Sequence, residues 1–278
     1  MTAAPTAPER DTIPSAMRET APSVFLIARP SVDLDGMRRY LEDVGGASWL
    51  ERRIGESGEA LNDEQLLIEF AGRVCYRSWE PGLNPNVSRI RTDQREYFEN
   101  LLRSFHGSVL EHASYSFALR NVSRVFTHEL VRHRAGSAFS QESLRYVRLT
   151  DIGFRVPPAL EPIRDQVINI VEQLEEFQVS AAESLGLDED GVPFAVKKEI
   201  TSALRRLAPI GLSTDIVWTA NIRTLRHVIE MRTAPGAEEE LRLVFDRIAE
   251  ICREQAPFLF QDFRRHDDGS WVPEYRKV

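Results

Sequence analysis

Three stretches of the 278-residue chain hold most of the side chains able to do chemistry. The first is Glu129-Leu-Val-Arg132-His133-Arg134, followed by Ala-Gly-Ser-Ala-Phe-Ser140-Gln141-Glu-Ser143-Leu144-Arg145-Tyr146. At helical spacing Glu129, Arg132 and His133 stand at i, i+3 and i+4 and share a face. Three serines within seven residues come next, then Arg145. Guanidinium forks, hydroxyls and loop amides in this order are the material of a phosphate cradle. A helix closing on basic residues that complement its dipole would use the same arginines. Gly136 and Ser137 already signal a stop, yet hydroxyls and Arg145 continue beyond it.

The second stretch is Phe105-His106-Gly107-Ser108-Val-Leu-Glu111-His112. Two histidines with a carboxylate beside one suggest a metal, but a catalytic zinc site needs a third ligand and an open position. No further His or Cys stands at ligand spacing. The other readings are a helix capped by Ser108 and a polar site where His106 meets a cofactor. The third stretch is Arg205-Arg206, then Asn221-Ile-Arg223-Thr-Leu-Arg226-His227-Val-Ile-Glu230-Met231-Arg232. Arg223, His227 and Glu230/Met231 fall on one helical stripe, with Arg232 on a neighbouring face. A solvated ion-paired face, Arg226 with Glu230 at i,i+4, is the alternative. The two cysteines, Cys75 and Cys252, form no CxxC pair. Neither has an adjacent His, and such a cysteine is usually a small buried residue.

Composition narrows the classes. The chain is 42% hydrophobic and 28% charged, as a folded globular protein is. Its net charge of −8 argues against a non-specific nucleic-acid binder. Lysine occurs only at 197, 198 and 277, leaving arginine 32 of the 35 basic residues. Codon bias explains this; so does a need to grip phosphates with a planar fork. No run is apolar enough for a membrane span, and the N-terminus lacks a signal-peptide core. With no disulfide framework, the expectation is a cytoplasmic protein. The dinucleotide fingerprint GxGxxG, the P-loop and HExxH are all missing.

Residues 1 to about 22, rich in Ala, Thr, Pro and charge, read as a disordered tail, and 23–278 as one α+β domain. Strands are expected at 23–28, 115–120, 145–149 and 214–220. A charged, Gly-containing segment covers 44–60. Helices are expected from Asn62 with Leu66, Leu67, Phe70 and Val74 inward, and at 93–105 with Phe98, Leu101 and Leu102 inward. Others follow from Ser123 to about Arg134, then at about 160–184, 195–207, 224–232 and 237–255. The last carries Leu241, Val244, Phe245, Ile248 and Ile251 on one face. Residues 135–144 read as a loop or irregular turn.

Taken in order, these blocks resemble the flavin-dependent thymidylate synthases. Arg132-His133-Arg134 with Ser143-Leu144-Arg145-Tyr146 is similar to that family's RHR…SxRY signature. His106-Gly107-Ser108 with Glu111-His112 resembles its HxTxxEH-like stretch, and Ala71-Gly-Arg-Val-Cys75-Tyr76 its early AARVS/C segment. Arg205 stands four residues before Pro209, and Trp218-Thr-Ala-Asn221-Ile-Arg223 precedes Arg232, as in the family. The resemblance covers about residues 65–265. The chain departs from the pattern in one extra residue between RHR and Ser143, in His227 where Asn is frequent, and in a longer N-terminal tail. Variant members resemble the UMP C5-methylases of nucleoside-antibiotic pathways.

The resemblance implies an α+β fold with a central mixed or antiparallel sheet flanked by helices. It also implies a homotetramer with active sites shared between subunits. The implied reaction is C5-methylation of dUMP, or of UMP, with FAD bound, methylenetetrahydrofolate as carbon donor and NADPH as reductant. Arg205 and Arg232 would act on the pyrimidine ring, and Ser143 and Arg145 on the 5′-phosphate, with Leu144 and Gln141 beside them. Arg132 would bridge nucleotide and flavin, and Glu129 would orient the nucleotide or Arg132. His106, Ser108, Glu111, His133, Arg134, Gln141, Asn221, Arg223 and His227 fall on the flavin side, His106 also flanking the folate. A hydroxymethyl product, and a metal-dependent hydrolase using His106 and His112, are the competing expectations.

Overall fold

The computed structural model describes residues 17–55 and 61–276. Its elements run β1 (Arg18–Glu19), β2 (Ser23–Ala28), α1 (Leu34–Val44), α2 (Ala47–Gly55), α3 (Asp63–Tyr76), α4 (Gln94–Arg103), a 3₁₀ turn (Gly107–His112), β3 (Ser114–Ser123), α5 (Arg124–Leu130) and β4 (Ser137–Gln141). Then come β5 (Gly153–Phe154), a 3₁₀ turn (Pro158–Ile163), α6 (Arg164–Ser184), α7 (Phe194–Leu204), a 3₁₀ turn (Arg205–Leu207) and β6 (Ser213–Asn221). The chain closes with α8 (Ile222–Thr233), α9 (Glu239–Gln255), a 3₁₀ turn (Pro257–Leu259), β7 (Phe263–Arg265) and β8 (Trp271–Pro273). The described residues fall into two compact units: one within 22–142 and 214–276, the other 17–21 with 143–213.

In the larger unit four strands form a sheet in the order β2-β3-β6-β4. β2 pairs antiparallel with β3, Val24 opposite Leu119, and β4 antiparallel with β6, Phe139 opposite Trp218. Between β3 and β6, hydrogen bonds join residue 113 to 222, 116 to 219 and 121 to 215, which is again the antiparallel sense. Period-2 alternation puts Tyr115, Phe117 and Leu119 of β3, and Ile216, Trp218 and Ala220 of β6, into the core. Trp218 stacks on Phe117 at 6.2 Å and meets Phe245 of α9 edge-on at 5.5 Å, so α9 covers this face. The expected apolar stripe of α9 is buried.

Three local expectations fail for physical reasons. The helix capped by Ser123 ends at Leu130, because residues 132–134 tighten into short-range turns ahead of β4. Residues 137–141, expected as loop, are strand β4, because β6 offers an open ladder that the small polar sequence could not reveal. Residues 145–149 alternate like a strand but turn instead: the Ser143 hydroxyl accepts from the Arg145 amide, and its carbonyl from Tyr146 and Val147.

The inward face of α3 also differs from expectation. Asn62 caps it as expected, but Val74 is exposed, and Glu69 and Arg73 are buried beside Leu66 and Ile68. Glu69 accepts from Arg53, Arg73 and the Trp49 indole, so the buried carboxylate is compensated. Arg73 and Arg53 also donate to the carbonyls of Ser78, Arg91 and Thr92, which ties the 78–92 segment to α2 and α3.

In the smaller unit β1 pairs parallel with β5, Arg18 opposite Gly153. The first 16 residues of the expected tail lie outside the described residues. Leu144, Leu149, Ile152, Phe154, Val171 and Leu212 form this unit's core.

Candidate active site

Helix α8 begins where β6 ends. Asn221 caps it, its side-chain oxygen accepting from the Thr224 amide at 2.9 Å. The Thr224 hydroxyl donates to the Ala135 carbonyl at 2.8 Å, and the Asn221 amide to the Gly136 carbonyl at 3.0 Å. Gly136 has φ +66°, and a Cβ there would collide with the Asn221 amide and the Thr224 hydroxyl. The loop after Arg134 is thus stapled to the start of α8.

This staple makes the walls of a cleft of about 620 Å³, within the range of small-molecule and cofactor sites. Arg132, His133 and Arg134 form one wall and Arg223, His227 and Glu230 another; Glu111, Tyr275 and Arg276 lie at its margins. Arg223 pairs with Glu111 at 2.6 Å, and Glu230 with Arg276 at 3.1 Å. Arg132 and Arg134 are exposed, and among the described residues neither has an ion-pair partner. Arg226 corrects an expectation: it is buried, not paired with Glu230, and holds Asp262 through two bonds of 2.8 Å.

Arg232, in the last turn of α8, is fixed at two points. Its Nη1 donates to Glu129 Oε2 at 2.7 Å and its Nε to His133 Nε2 at 2.8 Å. His133 Nε2 must therefore be an acceptor, which requires the neutral ring. Burial, the Arg232 charge and the neighbouring His227 push the His133 pKa down to about 4. Among the described residues the third guanidinium nitrogen of Arg232 has no hydrogen-bond partner; the side chain keeps 15% of its surface exposed, and Arg232 stands behind His133 rather than in the lining of the cleft.

His106 lies elsewhere in the larger unit. It lines a second cavity of about 310 Å³ with Arg73, Tyr76 and Arg91, and does not line the cleft of Arg132. Its Nε2 is 3.1 Å from the Tyr76 hydroxyl, with the two rings stacked at 5.6 Å. Ser108 is exposed inside the 3₁₀ turn, which has no side-chain cap, so the capping reading fails. Among the described residues no three His, Cys, Asp or Glu side chains gather as metal ligands, so His106 and His112 find no third partner there. Gln141, in β4, donates to the Thr127 hydroxyl at 3.0 Å.

Ser143, Leu144, Arg145 and Arg205 belong to the smaller unit. Leu144 and Arg205 line one small cavity there, and Arg145 lies over the Tyr146 ring, 5.8 Å from its centroid. Cys75 is exposed, not buried as expected, and its thiol donates to the Ala71 carbonyl. Cys252 is buried, and burial pushes its thiol pKa up. Sequence reasoning missed Thr224 and Gly136 as the staple, and Tyr76 as the partner of His106. Only the positive-φ signal of a glycine beside a basic run hinted at the first.

The larger unit thus carries an arginine-rich cleft and, against its His133 wall, an arginine clamped by Glu129 and His133. The chain matches the family described as "Thy1: Thymidylate synthase complementing protein" over residues 59–258. It is 33% identical over 218 residues to the flavin-dependent thymidylate synthase of Corynebacterium diphtheriae, covering 76% of this chain and 84% of that one. It is 38% identical over 206 residues to that of Mycobacteroides abscessus, covering 71% and 78%. The chain belongs to this family, the flavin-dependent thymidylate synthases, and is a methyltransferase of that type. In fold it is similar to the UMP/dUMP methylase PolB of Streptomyces cacaoi, with a TM-score of 0.58, 18% identity and coverage of 88% and 95% of the two chains.

Proposed function

We propose that this protein transfers a one-carbon unit to C5 of the uracil in a uridine 5′-monophosphate, making dTMP from dUMP. Methylenetetrahydrofolate is the carbon donor, NADPH the reductant and FAD the bound cofactor. The observation that carries the reading is Arg232, held by Glu129 and neutral His133 with one nitrogen left over. C5 of uracil is a weak nucleophile, and two solutions exist. One is covalent attack at C6 by an activated thiol; the other is electrostatic polarisation of the ring carbonyls. Cys75 has no base beside it in the described contacts, whereas Arg232 is fixed and charged. Arg232 therefore takes the role of polarising the pyrimidine, and Arg205 joins it on the family resemblance.

Ser143 and Arg145 hold the 5′-phosphate, with Leu144 anchoring their turn in its core. Arg132 stands between nucleotide and flavin, and Gln141 borders both. The residues present fit a flavin dinucleotide. Its pyrophosphate needs cations, and Arg132 and Arg134 have no ion-pair partner among the described residues; its ring needs donors, which Asn221, Arg223, His133 and His227 provide. Glu111 positions Arg223. His106, from the second cavity, faces flavin and folate, and Ser108, exposed on the neighbouring 3₁₀ turn, faces the flavin. When bound, the flavin supplies the hydride that completes the methyl group. Residues 23–278 work as one catalytic domain in a cytoplasmic homotetramer whose subunits share active sites.

A second reading, UMP as substrate in a nucleoside-antibiotic pathway, draws on the extra residue between Arg134 and Ser143. That residue sits in a segment that includes β4, next to the proposed phosphate turn. A hydroxymethyl product belongs to the same reading. The test is to supply FAD, methylenetetrahydrofolate and NADPH with dUMP and UMP in parallel and identify the products. A yellow protein forming dTMP from dUMP supports the proposal. A colourless protein that takes up no FAD and alkylates neither nucleotide refutes it.

A further inference from the structure

Lysine is so scarce in this chain that each one invites a reason, and Lys198 has one in the geometry of the smaller unit. Phe194, Lys198 and Arg205 stand at i, i+4 and i+11, one stripe of α7 continuing into its 3₁₀ turn. The Ser143–Tyr146 turn faces this stripe. The Phe194 and Tyr146 rings are stacked within 6° of parallel with centroids 6.2 Å apart. Lys198 Nζ lies 5.6 Å from the centroid of the Tyr146 ring, and the Arg145 guanidinium lies 5.8 Å from the same centroid. Thr201 and Arg205 line one small cavity with Leu144.

Two cations are therefore held against one ring. Tyr146 itself is 54% exposed. Among the described residues no carboxylate pairs with either cation, although Arg148 nearby is neutralised by Asp188 at 2.8 Å. Like charges gathered at one exposed ring repel unless an anion joins them. The face of Tyr146 offers each cation only a weak partner.

We propose that Lys198 is a further substrate-binding residue, which with Arg145 and the Ser143 hydroxyl takes the 5′-phosphate of the nucleotide. The inference rests on the uridine-nucleotide reading above and adds a cation that the motif blocks do not contain. An ammonium on a flexible stem suits a phosphate as a point charge, beside the fork of Arg145.

The test compares dUMP with deoxyuridine, which lacks the phosphate, on FAD-loaded enzyme. Lys198→Gln should weaken dUMP binding roughly tenfold or more, the loss of one charged hydrogen bond. Its deoxyuridine binding and its kcat at saturating dUMP should stay at the parent level, and Lys198→Arg should recover most of the dUMP affinity. Lys197→Gln, which removes the neighbouring lysine, should behave as the parent. Unchanged dUMP affinity in Lys198→Gln overturns the proposal. So does an equal loss for dUMP and deoxyuridine, which would mean that Lys198 only props the Tyr146 turn. If the parent enzyme binds no uridine nucleotide at all, the functional reading itself fails, and this inference with it.

Discussion

Arg232 is charged at every pH at which the protein folds, so its two partners decide where that charge points. Glu129 holds one nitrogen and His133 another, and the second bond exists only while the imidazole is neutral. In the folded protein His133 resists protonation down to about pH 4; in the unfolded chain it takes a proton near its ordinary value of 6.5. Between those values the unfolded state binds more protons, so stability falls as the pH falls through this window. Stability measured by denaturant melts from pH 7 to 4.5 should decline less steeply in His133→Gln than in the parent. Equal slopes would mean that His133 is not buried neutral beside Arg232. The basic block and Arg232 were both legible as chemistry in the sequence. Their contact was not, because Glu129 and Arg232 lie 103 residues apart and spacing carries no information across that distance.

At the scale of elements, the site depends on how α8 starts. Asn221, Thr224 and Gly136 form one joint between the loop after the basic run and the first turn of the helix. Gly136→Ala forces a left-handed backbone on a residue with a Cβ, which alone costs about 1–2 kcal/mol. The collision with Asn221 and Thr224 adds to that. The variant should melt lower and hold FAD more weakly; a variant with parent-like melting and FAD affinity would show that the joint does not shape the cleft. Helices with caps and strong apolar stripes were legible in the sequence: Asn62 and Ser123 start helices as expected, and the structure adds Asp93 and Asn221 as side-chain caps of theirs. β4 was not, because Ser-Ala-Phe-Ser-Gln has weak strand character and forms a strand only against β6. The 145–149 segment failed the opposite way, its alternation outweighed by the turn that Ser143 nucleates.

Across the whole molecule, family membership follows from several blocks in order, while the stabilising interior holds a feature that no apolar pattern predicts. Glu69, Arg53 and Arg73 are all buried, and the glutamate carries both guanidiniums and the Trp49 indole. Glu69→Ala would strand two buried positive charges and should cost about 3–5 kcal/mol, read from the midpoint of urea unfolding. A change below 1 kcal/mol would mean that water or rearrangement compensates the arginines. The same network anchors the 78–92 segment that walls the His106 cavity, so its loss should also be felt in turnover.

In the proposed reaction guanidinium groups, rather than a thiolate, make the uracil ring reactive. Its most direct test is release of tritium from dUMP labelled at C5, with FAD, methylenetetrahydrofolate and NADPH present, in Arg232→Ala and Cys75→Ala side by side. Cys75→Ala should release tritium at close to the parent rate, and Arg232→Ala should lose on the order of 10²–10³ of it, the usual consequence of removing one preorganised donor. Full release by Arg232→Ala, or none by Cys75→Ala, would contradict it.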